Sequence, residues 1–220
     1  MNAASVLKTG AIRVIVADDH PILRQGLISV LEASKDVRCV AEAGNGAEVL
    51  RAVRDETCDV LLLDVSMPGK TGLDLLRQLR KDWPRLPILI VSSHPEDQYA
   101  LRAIKAGASG YVTKMSATQD LVVAVRTVAA GRKYITPALA ELLADHVERP
   151  NDGAPHEALS DREFQAMKLI GAGHSLTEIA ATLCISVKTV SVYRARVLEK
   201  MRMKNNVELT RYVVENGLSD

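Results

Sequence analysis

Residues 12 to 136 alternate short aliphatic runs with longer amphipathic segments, and this alternation restricts the fold more than any other feature of the chain. The runs are rich in Val, Ile and Leu and lie at 12–17, 37–43, 59–64, 87–93 and 109–114. Short continuous apolar runs are typical of strands that are buried on both faces. Because helical spacing follows each run, the pattern predicts an α/β doubly wound five-stranded parallel sheet.

After Gly131 the pattern becomes purely helical. A short helix is predicted at 136–148, and the polar stretch 149–158, with its two prolines and one glycine, is typical of a linker. From Leu159 onward no strand pattern remains, which predicts a second, small all-α domain. Its four helical segments are expected at 160–171, 175–183, 186–203 and 206–216, with Ser186 as the N-cap of the third.

The composition is that of an ordinary globular protein of two domains. The chain has 220 residues, of which 47% are hydrophobic and 25% charged. No apolar run approaches the roughly 18 residues that a membrane span needs, and the first ten residues lack the apolar core of a secretory signal. The three cysteines form no CxxC pair or Cys/His cluster. We therefore expect a cytoplasmic protein with reduced cysteines and no membrane partner.

Positive charge is concentrated near the C-terminal end, although the net charge of the whole chain is only +1. Between Ser186 and Arg211 there are seven basic and two acidic residues, so this window carries 7 − 2 = +5. A local basic face can bind the phosphates of nucleic acid. Charge alone leaves open a second interpretation, a solvated helix face without a partner.

Charged and hydroxyl side chains follow four of the predicted strands. Strand 1 ends in Asp18-Asp19-His20, strand 3 in Asp64, strand 4 in Ser92-Ser93 and strand 5 in Thr113-Lys114. Ligands of open parallel sheets bind beyond the carboxyl ends of the strands, so we expect these groups at one edge. Clustered carboxylates raise one another's pKa unless a cation is present, and carboxylates with water suit Mg²⁺.

Such an edge can support phosphoryl transfer. One carboxylate can attack phosphorus, while a divalent cation, a lysine and a hydroxyl offset the charge on the phosphoryl oxygens. The alternative is that each acid only ends a strand. That alternative suits a single acid better than four strand ends that each carry a suitable group.

These residues resemble the receiver domain of bacterial two-component response regulators over residues 12–131. The resemblance rests on Asp18-Asp19, on "DVSMPGKTG" after strand 3, on Ser92, and on Tyr111 with Lys114. It implies the CheY-like strand order 2-1-3-4-5. It also implies that Asp64 is the phospho-acceptor. Mg²⁺ is then bound by Asp19, Asp64 and the backbone carbonyl of Ser66, and by Asp18 through water.

The same resemblance assigns the remaining groups of the edge. Lys114 is expected to pair with the phosphoryl group, Ser92 to donate a hydrogen bond to it, and Tyr111 to be the rotating aromatic residue coupled to Ser92. One position departs from the family pattern. A proline with a cis bond commonly follows the lysine, whereas Met115 stands here. A cis bond before a residue other than proline costs about 3–4 kcal/mol, so the loop geometry is in question.

A helix, a tight turn and a longer basic helix are predicted within residues 174–201. Apolar residues recur on the second helix at Val190, Tyr193, Val197 and Met201, which turns small and basic residues outward. A helix of this kind can enter a major groove. The stretches "LSDRE", "EIA", "ISVKTV" and "VELTRYV" extend the match, and residues 158–217 resemble the LuxR-type DNA-binding domain.

This second resemblance implies a set of DNA contacts and a dimer contact. Base contacts are expected from Ser191, Val192 and Ala195, and backbone contacts from Lys188, Thr189, Arg194 and Arg196. The last helix, with Val207, Leu209, Tyr212 and Val213, is the expected dimer contact. The alternative for these four residues is that they close the core of their own small domain.

Together the two resemblances imply a NarL/FixJ-family response regulator. Its expected parts are a receiver at 12–131, a linker with a short helix at 132–157, and the DNA-binding domain at 158–217. The expected partners are a histidine kinase, double-stranded DNA with a two-fold symmetric site, and a second copy of the chain. Two alternatives stay open: an aspartyl-nucleophile phosphatase, and a DNA-binding scaffold that needs no phosphorylation. The phosphatases that use this nucleophile carry an acid two residues later, where Ser66 stands here, so we do not expect an enzyme.

Overall fold

The computed structural model describes residues 10–67, 72–93, 96–148 and 154–218. The chain divides into two compact units, the first ending at Ala144 and the second beginning at Asp145.

The first unit contains the five-stranded sheet that the aliphatic runs predict. Its order is β2-β1-β3-β4-β5 and every neighbouring pair is parallel, which confirms the predicted topology. The strands are β1 (Ile12–Ala17), β2 (Val37–Ala43), β3 (Val60–Asp64), β4 (Ile88–Ser92) and β5 (Gly110–Thr113).

Helices cover both faces of this sheet, and the central strands are accordingly buried throughout. Alternate side chains of β1 and β3, such as Val14 and Leu62, pack with α1 and α5, while Ile15 and Leu61 on the opposite face are equally buried. The helices of this part are α1 (Pro21–Glu32), α2 (Gly46–Asp55), α3 (Gly72–Asp82), α4 (Glu96–Lys105) and α5 (Ala117–Ala129); α6 (Pro137–Glu148) spans the division between the units.

The second unit is helical in its described residues after α6. A 3₁₀ turn (Pro155–Ala158) precedes α7 (Asp161–Gly171), α8 (Leu176–Thr182), α9 (Val187–Lys200) and α10 (Asn206–Glu215). Serine side chains fix where three of these helices begin, because Ser160, Ser175 and Ser186 each accept a hydrogen bond from a backbone amide of the first turn. Phe164 and Met167 of α7 are fully buried at the centre of this small core.

No single helix among the described residues is long and apolar enough to cross a membrane. Helices α8 and α9 together would have the length and composition of a span, but the chain bends by 108° between them.

Candidate functional site

The carboxyl ends of β1, β3 and β5 bring two acids and one lysine into direct contact, as the sequence predicts. Asp64 is the last residue of β3, Asp18 follows β1, and Lys114 follows β5. Lys114 Nζ lies 2.9 Å from Asp64 Oδ2 and 2.7 Å from Asp18 Oδ2. Both carboxylates are buried, with Asp64 1% exposed, whereas one edge of the site remains open to solvent at the half-exposed Asp19.

The turn after β3 holds the Asp64 carboxylate in place. The Ser66 amide donates a hydrogen bond to Asp64 Oδ1 at 3.0 Å, and the Gly72 amide donates to the Val65 carbonyl at 3.0 Å. A Cβ atom at Gly72 would collide with Val65 Cα and would lie 2.6 Å from the Asp64 carbonyl oxygen. Gly72 therefore lets α3 begin directly against the end of β3. Residues 68–71, in the stretch "DVSMPGKTG" that carries the receiver resemblance, lie outside the described residues.

Burial and charge act in opposite directions on the two central groups. Burial raises the pKa of Asp64, and Lys114 and the Ser66 amide oppose that rise. Burial disfavours the charge on Lys114, but Asp64 and Asp18 outweigh it, so the pKa of Lys114 is raised. The lysine is therefore fully protonated at neutral pH and presents a fixed positive charge beside the Asp64 carboxylate.

The acids also form a donor set that fits a hard divalent cation. Ligand atoms of Asp18, Asp19, His20 and Asp64 all lie within 4.8 Å of one another. Within the described part of the chain, the buried oxygens Asp18 Oδ2 and Asp19 Oδ1 accept no hydrogen bond of good geometry, although Lys114 and His20 lie within 2.7 and 2.9 Å. A compact cluster of carboxylate oxygens of this kind fits a cation that prefers oxygen ligands, such as Mg²⁺.

Ser92 and Tyr111, which the sequence assigns to the switch, are both fully buried in the same half of the sheet. Ser92 ends β4, and its carbonyl accepts a hydrogen bond from the Lys114 amide at 2.7 Å, which joins the ends of β4 and β5. Tyr111 lies on β5 opposite Ile90 of β4. The peptide bond between Lys114 and Met115 is trans, so the loop forms without the cis bond that a proline commonly provides in this family.

One charged contact of the site was not predicted from the sequence. Arg24, on α1, donates through Nη1 to the Asp18 carbonyl at 2.5 Å and through Nε to Glu42 Oε2 at 2.9 Å. Its position in the sequence, one turn after the acidic pair on the predicted helix, was the available signal. The identity of its acceptors could not be read from spacing, because one is a backbone carbonyl and the other lies on β2.

In the second unit α8 and α9 form a helix-turn-helix. The two axes meet at 108°, within the usual range for this motif, and Cys184 makes the turn with a left-handed backbone (φ 52°). Val190 and Val197 of α9 face inward and are fully buried, as predicted. Most of the predicted DNA-contacting side chains of α9 are exposed; these are Lys188, Ser191, Val192, Ala195 and Arg196, with Thr189 half-buried.

Arg194 differs from the other predicted DNA contacts. It is half-buried, and its Nε donates a hydrogen bond to Asn206 Oδ1 at 2.7 Å. Asn206 is the first residue of α10, so the bond ties the middle of α9 to the beginning of the last helix. Sequence reasoning gave no role to Asn206.

On α10 the structure separates the four residues predicted for the dimer contact. Leu209 and Val213 are fully buried, as the alternative of a closed domain core expects. Tyr212 is half-buried, and its hydroxyl lies 2.8 Å from His156 Nδ1. Val207 is 77% exposed, and Val214, which was not predicted, is 61% exposed on the same side of the helix.

Comparison with known proteins assigns both units. Residues 14–126 match the response regulator receiver domain, and residues 157–213 match the bacterial regulatory proteins of the luxR family. The response regulator GacA of Pseudomonas aeruginosa is 37% identical over 210 residues, covering 95% of this chain and 98% of its own length. The response regulator UvrY of Escherichia coli is 35% identical over 208 residues, covering 94% and 95%.

Solved structures of similar length agree with these matches. A structure of the response regulator RcsB of Salmonella typhimurium is 26% identical, with a TM-score of 0.58 and coverage of 93% of this chain and 98% of that one. An RcsB–DNA complex is 27% identical, with a TM-score of 0.59 and the same coverage. The chain therefore belongs to the NarL/FixJ family of two-component response regulators, with a receiver domain followed by a LuxR-type DNA-binding domain.

Proposed function

We propose that Asp64 is the residue that accepts the phosphoryl group, from a phosphohistidine of a partner histidine kinase. The observation that carries this proposal is the buried contact of Asp64 with Lys114, at 2.9 Å, at the carboxyl edge of the sheet. In the transfer an Asp64 oxygen forms a bond to phosphorus as the phosphorus–nitrogen bond breaks, and the histidine leaves as an imidazole. Lys114 offsets the charge on the phosphoryl oxygens throughout.

We further propose that Mg²⁺ is the cation of this site. Asp19, Asp64 and the Ser66 backbone carbonyl would hold it directly, and Asp18 through water. The clustering of the Asp18, Asp19 and Asp64 ligand atoms within 4.8 Å of one another supports this assignment. The cation supplies charge neutralisation for the incoming phosphoryl group.

The switch is proposed to run through Ser92 and Tyr111. Ser92 lies at the end of β4, next to the strand that carries Asp64, and its hydroxyl is suited to hydrogen-bond a phosphoryl oxygen. Tyr111 is the large side chain of β5 whose conformation would be coupled to that of Ser92. Phosphorylation would then bias the surface around β4 and β5 between two states, as a population shift.

The DNA contacts are proposed to come from α9. Ser191, Val192 and Ala195 would face base edges, while Lys188, Thr189, Arg194 and Arg196 would contact phosphates. The exposure of most of this set supports the assignment. Two copies of the chain would bind a two-fold symmetric double-stranded site, with the exposed Val207 and Val214 of α10 in the dimer contact.

The functional divisions of the chain are proposed to remain 12–131, 132–157 and 158–217, which the two family matches support. We propose that the protein acts in the cytoplasm and is a regulator rather than an enzyme. Ser66 stands where an aspartyl phosphatase of the kind considered above would carry its general acid.

Replacement of the acceptor tests the proposal. We expect Asp64→Asn to abolish labelling by acetyl phosphate in the presence of Mg²⁺, since the amide cannot attack phosphorus. Asp55→Asn is the matched control, because Asp55 is an exposed acid of α2, and it should be labelled like the wild type. The adduct should be cleaved by hydroxylamine, as an acyl phosphate is. Undiminished labelling of Asp64→Asn would refute the assignment of Asp64.

A further inference from the structure

The Arg24 side chain connects three elements next to the acidic pair. Arg24 lies on α1, and its side chain is only 17% exposed. Its Nη1 donates to the Asp18 carbonyl at 2.5 Å, and its Nε donates to Glu42 Oε2 at 2.9 Å. Glu42 belongs to β2 and also accepts from Gln25 Nε2 at 2.9 Å. The guanidinium thus ties α1 and the end of β2 to the loop that carries the acids.

This contact restricts the backbone that positions the acids. The Asp18 amide donates to the Ala43 carbonyl at 3.0 Å, so β2 holds one side of Asp18 and Arg24 holds the other. Because the peptide unit is planar, fixing the Asp18 carbonyl also fixes the Asp19 nitrogen. Rotation of the peptide plane between Asp18 and Asp19 is thereby restricted. The His20 amide, which donates to Asp18 Oδ1 at 2.8 Å, closes the same turn.

The geometry requires an arginine. A guanidinium presents N–H groups in a rigid fork, so it can donate to a carbonyl and a carboxylate at the same time, whereas an ammonium is a single point donor on a flexible stem. Glu42 keeps the fork in place: the hydrogen bond from Arg24 lowers the pKa of that carboxyl, which stays ionised at neutral pH. Arg24 also adds a second cation to a region where Lys114 already contacts Asp18 and Asp64.

We propose that Arg24 is a positioning residue for divalent cation binding. By holding the Asp18 carbonyl it keeps the Asp19 carboxylate in the geometry that binds Mg²⁺, and it does so without contacting the phosphoryl group. The inference rests on the proposed magnesium site. It implies that loss of Arg24 raises the Mg²⁺ concentration required for phosphorylation and leaves the rate at saturating Mg²⁺ nearly unchanged.

The chain offers a matched control at the other end of the sheet. Arg126 on α5 donates to both oxygens of Asp36, through Nε and Nη2 at 2.7 Å each. Asp36 directly precedes β2, whereas the acids of the site follow the carboxyl ends of the strands. Arg126→Ala therefore removes a comparable charged contact between elements without touching the acidic loop.

The experiment measures cation binding and phosphorylation separately in the full chain. Mg²⁺ is titrated calorimetrically without a phosphodonor, and the initial rate of labelling by acetyl phosphate is followed over a range of Mg²⁺. For Arg24→Ala we expect the half-saturating Mg²⁺ to rise about tenfold, the usual cost of losing a group that orients a metal ligand. The maximal rate should stay within about twofold, because transition-state contacts are retained.

Conservative variants separate positioning from a general loss of stability. Arg24→Lys should recover only part of the Mg²⁺ affinity, since a lysine cannot make both contacts. Glu42→Ala, at a side chain that is 42% exposed, should shift the half-saturating Mg²⁺ in the same direction by a smaller factor. Arg126→Ala should bind Mg²⁺ like the wild type. Thermal unfolding of each variant reports whether the fold is retained. If Arg24→Ala does not fold, the Mg²⁺ affinity of Glu42→Ala decides whether the contact positions the acids.

Three results would overturn the inference. Unchanged Mg²⁺ affinity in Arg24→Ala and Glu42→Ala would remove the positioning role. An equal shift in Arg126→Ala would make the effect one of stability. A lost maximal rate with unchanged Mg²⁺ affinity would place Arg24 in the transfer step itself. Failure of the wild type to be labelled at all would instead refute the proposed acceptor, while the calorimetric titration would still decide the role of Arg24.

Discussion

Asp64 is a buried carboxyl group whose charge the fold tolerates only because of its neighbours. Its side chain is 1% exposed, and burial raises its pKa above the ordinary value of 3.8 despite the contact with Lys114. A buried ionisable group of this kind lowers the stability of the protein, as functional sites commonly do. Replacing the carboxyl group should therefore raise the free energy of unfolding.

We predict that Asp64→Asn raises the free energy of unfolding at pH 7, without Mg²⁺, by roughly 0.5–2 kcal/mol. This is the usual gain in stability when a residue kept for function, here a buried carboxyl group, is replaced by a neutral one. Lys114 keeps Asp18 as a partner at 2.7 Å, so the substitution leaves no unpaired lysine. Urea denaturation of the wild type, Asp64→Asn and the Asp55→Asn control measures the difference. A loss of stability specific to Asp64→Asn would contradict this account of the site.

The sign of the pH dependence follows from the same shift. Because the pKa of Asp64 is raised in the folded state, the group contributes stability below its unfolded pKa, near 3.8, and loses it as the pH rises through the folded pKa. The advantage of Asp64→Asn over the wild type should therefore grow as the pH rises across that window. Denaturation curves collected from acid to neutral pH check the prediction, and an advantage that shrinks with rising pH would refute it.

Arg194 carries the residue-scale prediction for DNA binding. If Arg194 contacts a phosphate, Arg194→Ala should weaken binding to specific and non-specific DNA alike and reduce the salt slope of the affinity by about 1. Arg211→Ala is the control, because Arg211 is an exposed arginine of α10 that pairs with Glu215. Fluorescence anisotropy at several salt concentrations measures the slope. An unchanged slope would leave Arg194 only its bond with Asn206, a structural contact.

The residues that the sequence located correctly share a physical signal. Asp18, Asp64 and Lys114 each follow an aliphatic run, and the ends of parallel strands must meet at one edge. Arg24 lacked such a signal, because its acceptors are a backbone carbonyl and a residue on another strand. For Leu209 the sequence left two interpretations open, a dimer contact and a place in the core, because spacing does not tell which apolar side of α10 faces the core. The structure buries Leu209 completely.

At the scale of elements, the entry to α3 shows how closely helix and strand approach. Gly72 has no room for a Cβ atom, whereas a Cβ atom at Gly26, in the middle of α1, would meet no atom within 4 Å outside its chain neighbours and the backbone of its own helix. We predict that Gly72→Ala destabilises the receiver by about 1–3 kcal/mol, as overpacking does. Gly26→Ala, the contrasting substitution, should stabilise it by about 0.5–1 kcal/mol through helix propensity.

Thermal unfolding of both glycine variants tests the pair. Gly72→Ala should also slow labelling of Asp64, because the displaced atoms would include the Asp64 carbonyl and Val65. Equal effects of the two substitutions on stability would show that the close approach at Gly72 relaxes freely, contrary to the packing described above.

Element boundaries were predictable wherever a polar or turn-forming residue ends an apolar pattern. The strand expected at 59–64 is observed as Val60–Asp64, and Ser186 caps α9 as predicted. The sequence predicts that α9 ends at residue 203, whereas the helix stops at Lys200. Arg202, two residues after this end, adopts a left-handed backbone (φ 55°). Such a conformation is predictable from the sequence mainly at glycine.

At the scale of the whole molecule, the two units were recognisable because their patterns differ in kind. Strand–helix alternation specifies the receiver, and a basic helix with one apolar stripe specifies the DNA-binding unit. Each pattern reports only on its own unit, since a hydrophobic period arises from local burial. Coupling between phosphorylation and DNA binding is a free energy shared by both units, and it has to be measured on the intact chain.

The most direct test of the central claim is selection of bound DNA from a random pool by the intact protein, with and without acetyl phosphate and Mg²⁺. We predict that a two-fold symmetric sequence is recovered. Its affinity should increase about 5- to 150-fold on phosphorylation, the usual range of allosteric coupling, and Asp64→Asn should show no response. Recovery of the same sequence with equal affinity in both conditions, or an undiminished response in Asp64→Asn, would contradict control of DNA binding through Asp64.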